Sequence, residues 1–225
     1  MEKKYLVLAG CLFLLNSTQA VATEENFALG LKGGTLGGGV EATKVLSDDL
    51  VLRTGVNYLT FSIDSTIGDI DYEMEATYKN GNLLVDWHPF SGAFRISGGV
   101  FLNGNEVDVD GIVSKERVLG PIAQYLPLND MVHVKGNVDF NSLAPYAGIG
   151  WRSNHGESGW GLACEFGVLF QGSAQVSDLY LQAPIDVNNT TNVQDFLSEQ
   201  KKEIEDELDD YQYYPVASIM LMYNF

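Results

Sequence analysis

Apolar and polar residues alternate one by one through most of the chain. In "LVLRTGVNYLTFS" (50–62), Leu50, Leu52, Thr54, Val56 and Tyr58 fall on one face and Arg53, Gly55 and Asn57 on the other. "NLLVDW" sends Leu83, Val85 and Trp87 one way and Asp86 the other. "FRISGGVFL" sets Phe94, Ile96, Val100 and Leu102 against Arg95 and Ser97, and "APYAGIGW" sets Ala147, Ile149 and Trp151 against Tyr146, Gly148 and Gly150. "WGLACEFGVLF" places Trp160, Leu162, Cys164, Phe166, Val168 and Phe170 opposite Gly161, Ala163, Glu165 and Gly167. The chain closes on "VASIMLMYNF", with Ala217, Ile219, Leu221, Tyr223 and Phe225 on one side and Ser218, Met220, Met222 and Asn224 on the other. A period of two is the signature of a strand with two unlike faces. A soluble sandwich would charge its solvent face heavily. Here the polar face carries mainly Gly, Ser, Asn and isolated charges, which fits strands with lipid outside and a narrow filled lumen inside.

Crossings are expected at about 26–33, 37–46, 50–62, 71–87, 94–109, 132–152, 159–172 and 213–225. Eight is an even number, as bacterial barrels require. The fold class is therefore all-β, a transmembrane antiparallel up-and-down β-barrel of eight strands. Segments 47–49, 88–93 and 153–158 read as short periplasmic turns, and 63–70, 110–131 and 173–212 as long external loops. One stretch has a helical period instead. "NVQDFLSEQKKEIEDELDDY" (192–211) has Asn192 as N-cap and a thin apolar stripe of Val193, Phe196, Leu197, Ile204 and Leu208. Lys201 and Lys202 face Glu205 and Asp206 one turn on. Its acidic end opposes the helix dipole, so it reads as a solvated loop helix that frays.

The first residues add a compartment. Lys3 and Lys4 precede an apolar run from Tyr5 to Leu15, and Ala20-Val21-Ala22 is a small-residue cleavage site. Residues 1–22 therefore read as a secretory signal peptide, and 23–225 as the barrel domain. Cys11 would leave with the signal, so Cys164 would stand alone, without a disulfide or multi-cysteine metal site. No apolar stretch reaches the ~18–20 residues of a spanning helix. A net charge of −17 excludes nucleic acid as a partner, which calls for basic stripes. The 24 Gly and 11% aromatic residues suit a barrel.

The cleavable leader, "WHPFSGAFRISGGVF", "APYAGIGW" and the terminal "MLMYNF" together resemble the small outer-membrane β-barrels of Gram-negative bacteria, the OmpA/OmpX-like proteins. The resemblance implies a bacterial outer-membrane location. It also implies that Leu221, Tyr223 and Phe225 form a sorting signal read by the outer-membrane assembly machinery. Lipid and lipopolysaccharide are the surrounding partners, and the protein is expected to be a monomer. These motifs specify place and fold, not activity.

Three groups of residues could carry chemistry. Glu41, Arg53, Asp86, Arg95 and Glu165 are the inward charges and are expected to pair as a plug. The His residues offer no triad. His88 and His155 fall in short turns, and Asp139 lies roughly 20 Å along the strand from His133, with Ser142 beyond. "DIDYEME" and "EVDVD" put Asp69, Asp71, Glu73, Glu75, Glu106, Asp108 and Asp110 on strand faces. If Trp87 opposes Phe94, then Glu75 opposes Glu106, Glu73 opposes Asp108 and Asp71 opposes Asp110. Such like-charge pairs destabilise a sheet. The patch reads first as a solvated acidic rim with splayed carboxylates, and no cofactor is expected; Asp71, Glu73, Glu75, Glu106, Asp108 and Asp110 are the candidate ligands should Ca²⁺ or Mg²⁺ bind weakly there. Both strands change apolar parity near Asn80-Gly81-Asn82 and Asn103-Gly104-Asn105, which read as bulges at the membrane edge. The expected function is non-enzymatic: envelope integrity or surface interaction through the long loops. A narrow, porin-like channel for ions or small solutes is the alternative, and a lipid-modifying enzyme the third reading.

Overall fold

The computed structural model describes residues 27–67, 70–120, 123, 131–153, 158–183 and 186–225. The expected signal peptide, Asp69 and His155 lie outside them. The strands are β1 (Phe27–Gly34), β2 (Gly37–Ser47), β3 (Leu50–Ile67), β4 (Ile70–Trp87), β5 (Phe94–Asn103), β6 (Glu106–Ser114), β7 (Met131–Asp139), β8 (Leu143–Arg152), β9 (Gly159–Phe170), β10 (Gln175–Gln182) and β11 (Tyr213–Asn224). Helix α1 (Lys115–Leu119) follows β6. Helix α2 (Thr191–Leu208) and a 3₁₀ turn (Asp209–Gln212) precede β11.

All pairings are antiparallel, and eight strands close on themselves in the order β1-β2-β3-β4-β5-β8-β9-β11 and back to β1. The closing register pairs Leu31 with both Leu221 and Val40, so three outward apolar residues lie side by side. β1, β2, β4, β9 and β11 begin and end within two residues of their expected crossings, and β3 runs on to Ile67. The sequence reading merged two pairs. Segment 94–109 is β5 plus the start of β6, and 132–152 is β7 plus β8.

The reason is a fork. β4 pairs with β5 through Asn80–Trp87, and with β6 through Asp71–Thr77. At the branch the Gly104 amide donates to the Lys79 carbonyl. β6, β7 and β10 continue β5, β8 and β9 beyond the ring, giving a five-stranded wall β3-β4-β6-β7-β10 on one side. β10 lies in a stretch read as loop. Its alternation is broken by Asp178, at φ 53°, where the register with β7 shifts.

The expected bulge at Asn80-Gly81-Asn82 is not there. β3 and β4 pair without interruption from Leu50↔Trp87 to Ile67↔Ile70. The even-numbered residues of β4 face inward along its whole length. What changes is the chemistry of each face. Outward, Leu83, Val85 and Trp87 give way to Asp71, Glu73 and Glu75. Inward, Asn80, Asn82 and Asp86 give way to Ile70, Tyr72 and Met74. Asn103-Gly104-Asn105 is a true interruption, since it is the fork itself. The hairpin register also differs by two residues from expectation: Trp87 opposes Ile96, Glu75 opposes Asp108, Glu73 opposes Asp110, and Asp71 opposes Ile112.

The inward face of the wall carries its own core. Ile70, Tyr72, Met74, Val109, Val134 and Val176 pack with Val193, Phe196 and Ile204 of α2. The helix is thus docked rather than solvated, because its stripe completes a core that the sheet leaves open on one side. The N-cap is Thr190, without a side-chain cap bond. Asn192 instead donates to the Leu119 carbonyl and ties α2 to α1. The Tyr72 hydroxyl donates to Gln200 Oε1, linking sheet to helix.

Candidate functional site

The inward rows of β1, β2, β3, β4, β5 and β9 bring one acid or base each to the ring interior. Arg53 is central. Its Nη1 lies 3.1 Å from Glu41 Oε1, its Nε 2.7 Å from Asp86 Oδ2 and its Nη2 2.6 Å from Glu165 Oε2. Arg95 reaches Asp86 Oδ2 at 3.1 Å and Glu165 Oε2 at 2.7 Å. All five residues singled out from parity therefore meet in one cluster. Three further members lie beyond the five expected charges: Ser97 and Tyr146, which parity put on the inner face without assigning them to the cluster, and Lys32. Lys32 pairs with Glu41 at 2.9 Å, and it sits in β1, where the alternation is diluted by glycine. Ser97 accepts from Arg53 Nη2 and donates to Asp86 at 2.7 Å, and the Tyr146 hydroxyl donates to Glu165 Oε1 at 2.6 Å. The three carboxylates are matched by Lys32, Arg53 and Arg95. Arg53 and Arg95 are 1% exposed and Asp86 0%, so the cluster is dry and charge-balanced.

Glycine makes room for it. A Cβ at Gly148 or Gly167 would run into the Tyr146 hydroxyl, and one at Gly150 into the Arg95 guanidinium. The inward glycines of "APYAGIGW" and "WGLACEFGVLF" therefore let two large side chains lie flat across the ring. Toward the fork the interior is closed by Leu36, Leu84, Phe101, Ala144, Leu169 and Val216. Above these is an amide net in which Asn80 donates to Asn105, and Asn105 to Gln171, both at 2.9 Å.

The ring exterior is apolar. Leu31, Val40, Val56, Leu83, Leu102, Leu162, Phe166 and Ile219 are all exposed. At the end with the short turns, Phe225 packs on Phe27 and Tyr223, Tyr223 on Trp160, and Phe94 on Trp151 and Phe90. At the other end Phe170 packs on Tyr213. Leu221, Tyr223 and Phe225 point outward within the first of these aromatic zones. A continuous apolar exterior between two aromatic zones is far beyond what a soluble monomer exposes.

The acidic residues lie on the outward face of the wall. Opposite them, β7 supplies donors rather than more acid. Asp110 accepts from His133 at 2.8 Å and pairs with Lys135 at 3.1 Å, Asp108 accepts from Asn137 at 3.0 Å, and Asp71 accepts from Thr66 at 2.8 Å. Glu106 takes Lys79, which raises the lysine's pKa. Burial pushes the Asp110 carboxyl up, but the hydrogen bonds from His133 and Lys135 outweigh it and hold it below its ordinary value. Among the described residues no group of His, Cys, Asp and Glu could hold a metal ion. The candidate cation ligands Asp71, Glu73, Glu75, Glu106, Asp108 and Asp110 lie on the paired strands β4 and β6. They are spread along rows, and four of them, Asp71, Glu106, Asp108 and Asp110, turn to neighbouring donors. His88 Nδ1 sits 2.8 Å from the Gly92 carbonyl in its turn, and Asp139 takes Ser177, so neither approaches His133. Burial pushes the Tyr72 phenol up to about 12.

The chain thus belongs to a class of all-β architecture: an antiparallel sheet with a ring through eight strands, an apolar exterior, a filled ionic interior and a one-sided wall. Two solved structures share this fold. Acinetobacter baumannii CarO2 superposes with a TM-score of 0.57 at 19% identity, covering 88% of this chain and 98% of that one. Acinetobacter baumannii CarO gives 0.55 at 19%, covering 88% and 97%. No protein-family model matches the sequence, and no curated protein matches it.

Proposed function

We propose that the protein is a bacterial outer-membrane β-barrel with a closed lumen, which acts without catalysis through the helix-capped wall it raises above the membrane. The observation that carries this reading is the inversion along β4. Its outward row runs from apolar to acidic at the level where its inward row runs from polar to apolar. A strand passing from hydrocarbon into water needs that inversion, and a soluble sheet has no use for it. The barrel below the fork faces lipid, and the acidic wall faces lipopolysaccharide headgroups and the medium. The exposed aromatic end of β11 suits recognition by the assembly machinery, and the ring needs no second copy to close.

The dry, balanced Arg53–Arg95 cluster favours a plug over a conduction path. Planar-bilayer recording of refolded protein tests this. A closed lumen gives no unitary steps above the bare membrane. Reproducible steps that change when Glu41 or Asp86 is replaced would favour a narrow channel instead.

A further inference from the structure

We infer that Arg152 binds a small monovalent inorganic anion inside the ring, at the end with the short turns. Among the described residues the interior charges do not sum to zero once Arg152 is included. Glu41, Asp86 and Glu165 are taken up by Lys32, Arg53 and Arg95. Arg152 is a fourth cation, 3% exposed, and it forms no ion pair among the described residues. Its Nη2 donates to the Asn224 side-chain oxygen, a neutral acceptor, while Nε and Nη1 have no acceptor among the described residues. Its cross-strand partner Ala163 belongs to a small buried cluster with Met220 and Met222, which supplies no counter-charge. One inward step up the same strand is Gly150, the partner of Arg95, whose Nε also lacks an acceptor.

A buried ion without a partner is strongly unfavourable, and most buried groups escape by changing protonation. Arginine cannot, since its guanidinium stays charged at any pH a protein survives. Water could satisfy the free N–H groups but not the charge. An anion does both, and the excess of one positive charge calls for a monovalent one. A bilayer current would sink the closed-lumen reading and leave the anion site at Arg152 standing.

The test is thermal unfolding of the refolded protein in a zwitterionic detergent, in potassium bromide and in potassium gluconate at equal ionic strength. Bromide is expected to raise the midpoint by roughly 2–4 °C in a saturable manner, and the bulky organic anion gluconate is expected to give no such rise. Arg152→Gln is expected to give the same midpoint in both salts. In bromide-soaked crystals an anomalous peak is expected at the Arg152 guanidinium, and this readout decides the matter if the variant does not refold. Equal wild-type midpoints in the two salts, a bromide shift that persists in Arg152→Gln, or no peak at Arg152 would overturn the inference.

Discussion

Arg53 joins three carboxylates from three different strands, so its removal strands more buried charge than any other single change in the ring. Arg53→Met keeps the volume and deletes the ion. Breaking one partner out of a buried ionic cluster costs about 3–5 kcal/mol, because the remaining carboxylates stay buried. Urea unfolding from detergent is expected to report a loss in that range. A change below about 0.5 kcal/mol, typical of surface sites, would mean that water already fills the cluster. These side chains were legible in the sequence because a charge in an otherwise small-residue row of a period-2 strand has only one place to go. Lys32 and Arg152 were harder. Lys32 lies among glycines that weaken the alternation, and Arg152 is the last residue of the expected crossing 132–152, against the turn at 153–158.

At the scale of elements, α2 and β10 give the wall its independence. The wall would otherwise end in an open strand edge, which invites pairing with another chain. Side chains cap it: Glu205 accepts from the Val176 amide, and Asn188 both accepts from the Leu181 amide and donates to its carbonyl. Phe196→Ala is expected to speed amide exchange in β10 and β7 by at least tenfold while β1, β2 and β11 keep their protection, because the wall core and the ring interior are separate. Equal acceleration in both regions would show a single cooperative unit. The β6–β7 contact adds a pH dependence. Asp110 has a depressed pKa in the fold, so its contribution is fully present above its ordinary value of 3.8 and is lost as pH falls through the lower folded value. Exchange protection in β7 is expected to fall in that window in the wild type, and to be insensitive to it in Asp110→Asn. The strands themselves were readable from alternation, but the fork was not. Inward parity is the same on both sides of it, so the change of faces looked like a bulge. The helix stripe was visible in Val193, Phe196 and Ile204. Its docking was not, since the surface it covers comes from β4, β6, β7 and β10, distant in sequence.

For the whole molecule, the account rests on where water stops. Ring and wall share one sheet and one inward parity. They differ in the chemistry of each face, so on the proposed outer-membrane reading the membrane boundary falls between Glu75 and Leu83 on β4. All three tryptophans, Trp87, Trp151 and Trp160, are exposed on the ring exterior, and an aqueous location would leave them as an aggregation surface. The most direct test is a spin-label scan along the outward row of β4. Cys164 is first replaced by Ala, and single cysteines are then placed at positions 71, 73, 75, 83 and 85 of protein refolded into liposomes. Labels at 83 and 85 are expected to collide with oxygen and be shielded from a water-soluble nickel chelate, while labels at 71, 73 and 75 show the reverse. If the nickel chelate reaches all five positions equally, the ring does not sit in lipid and the account is wrong.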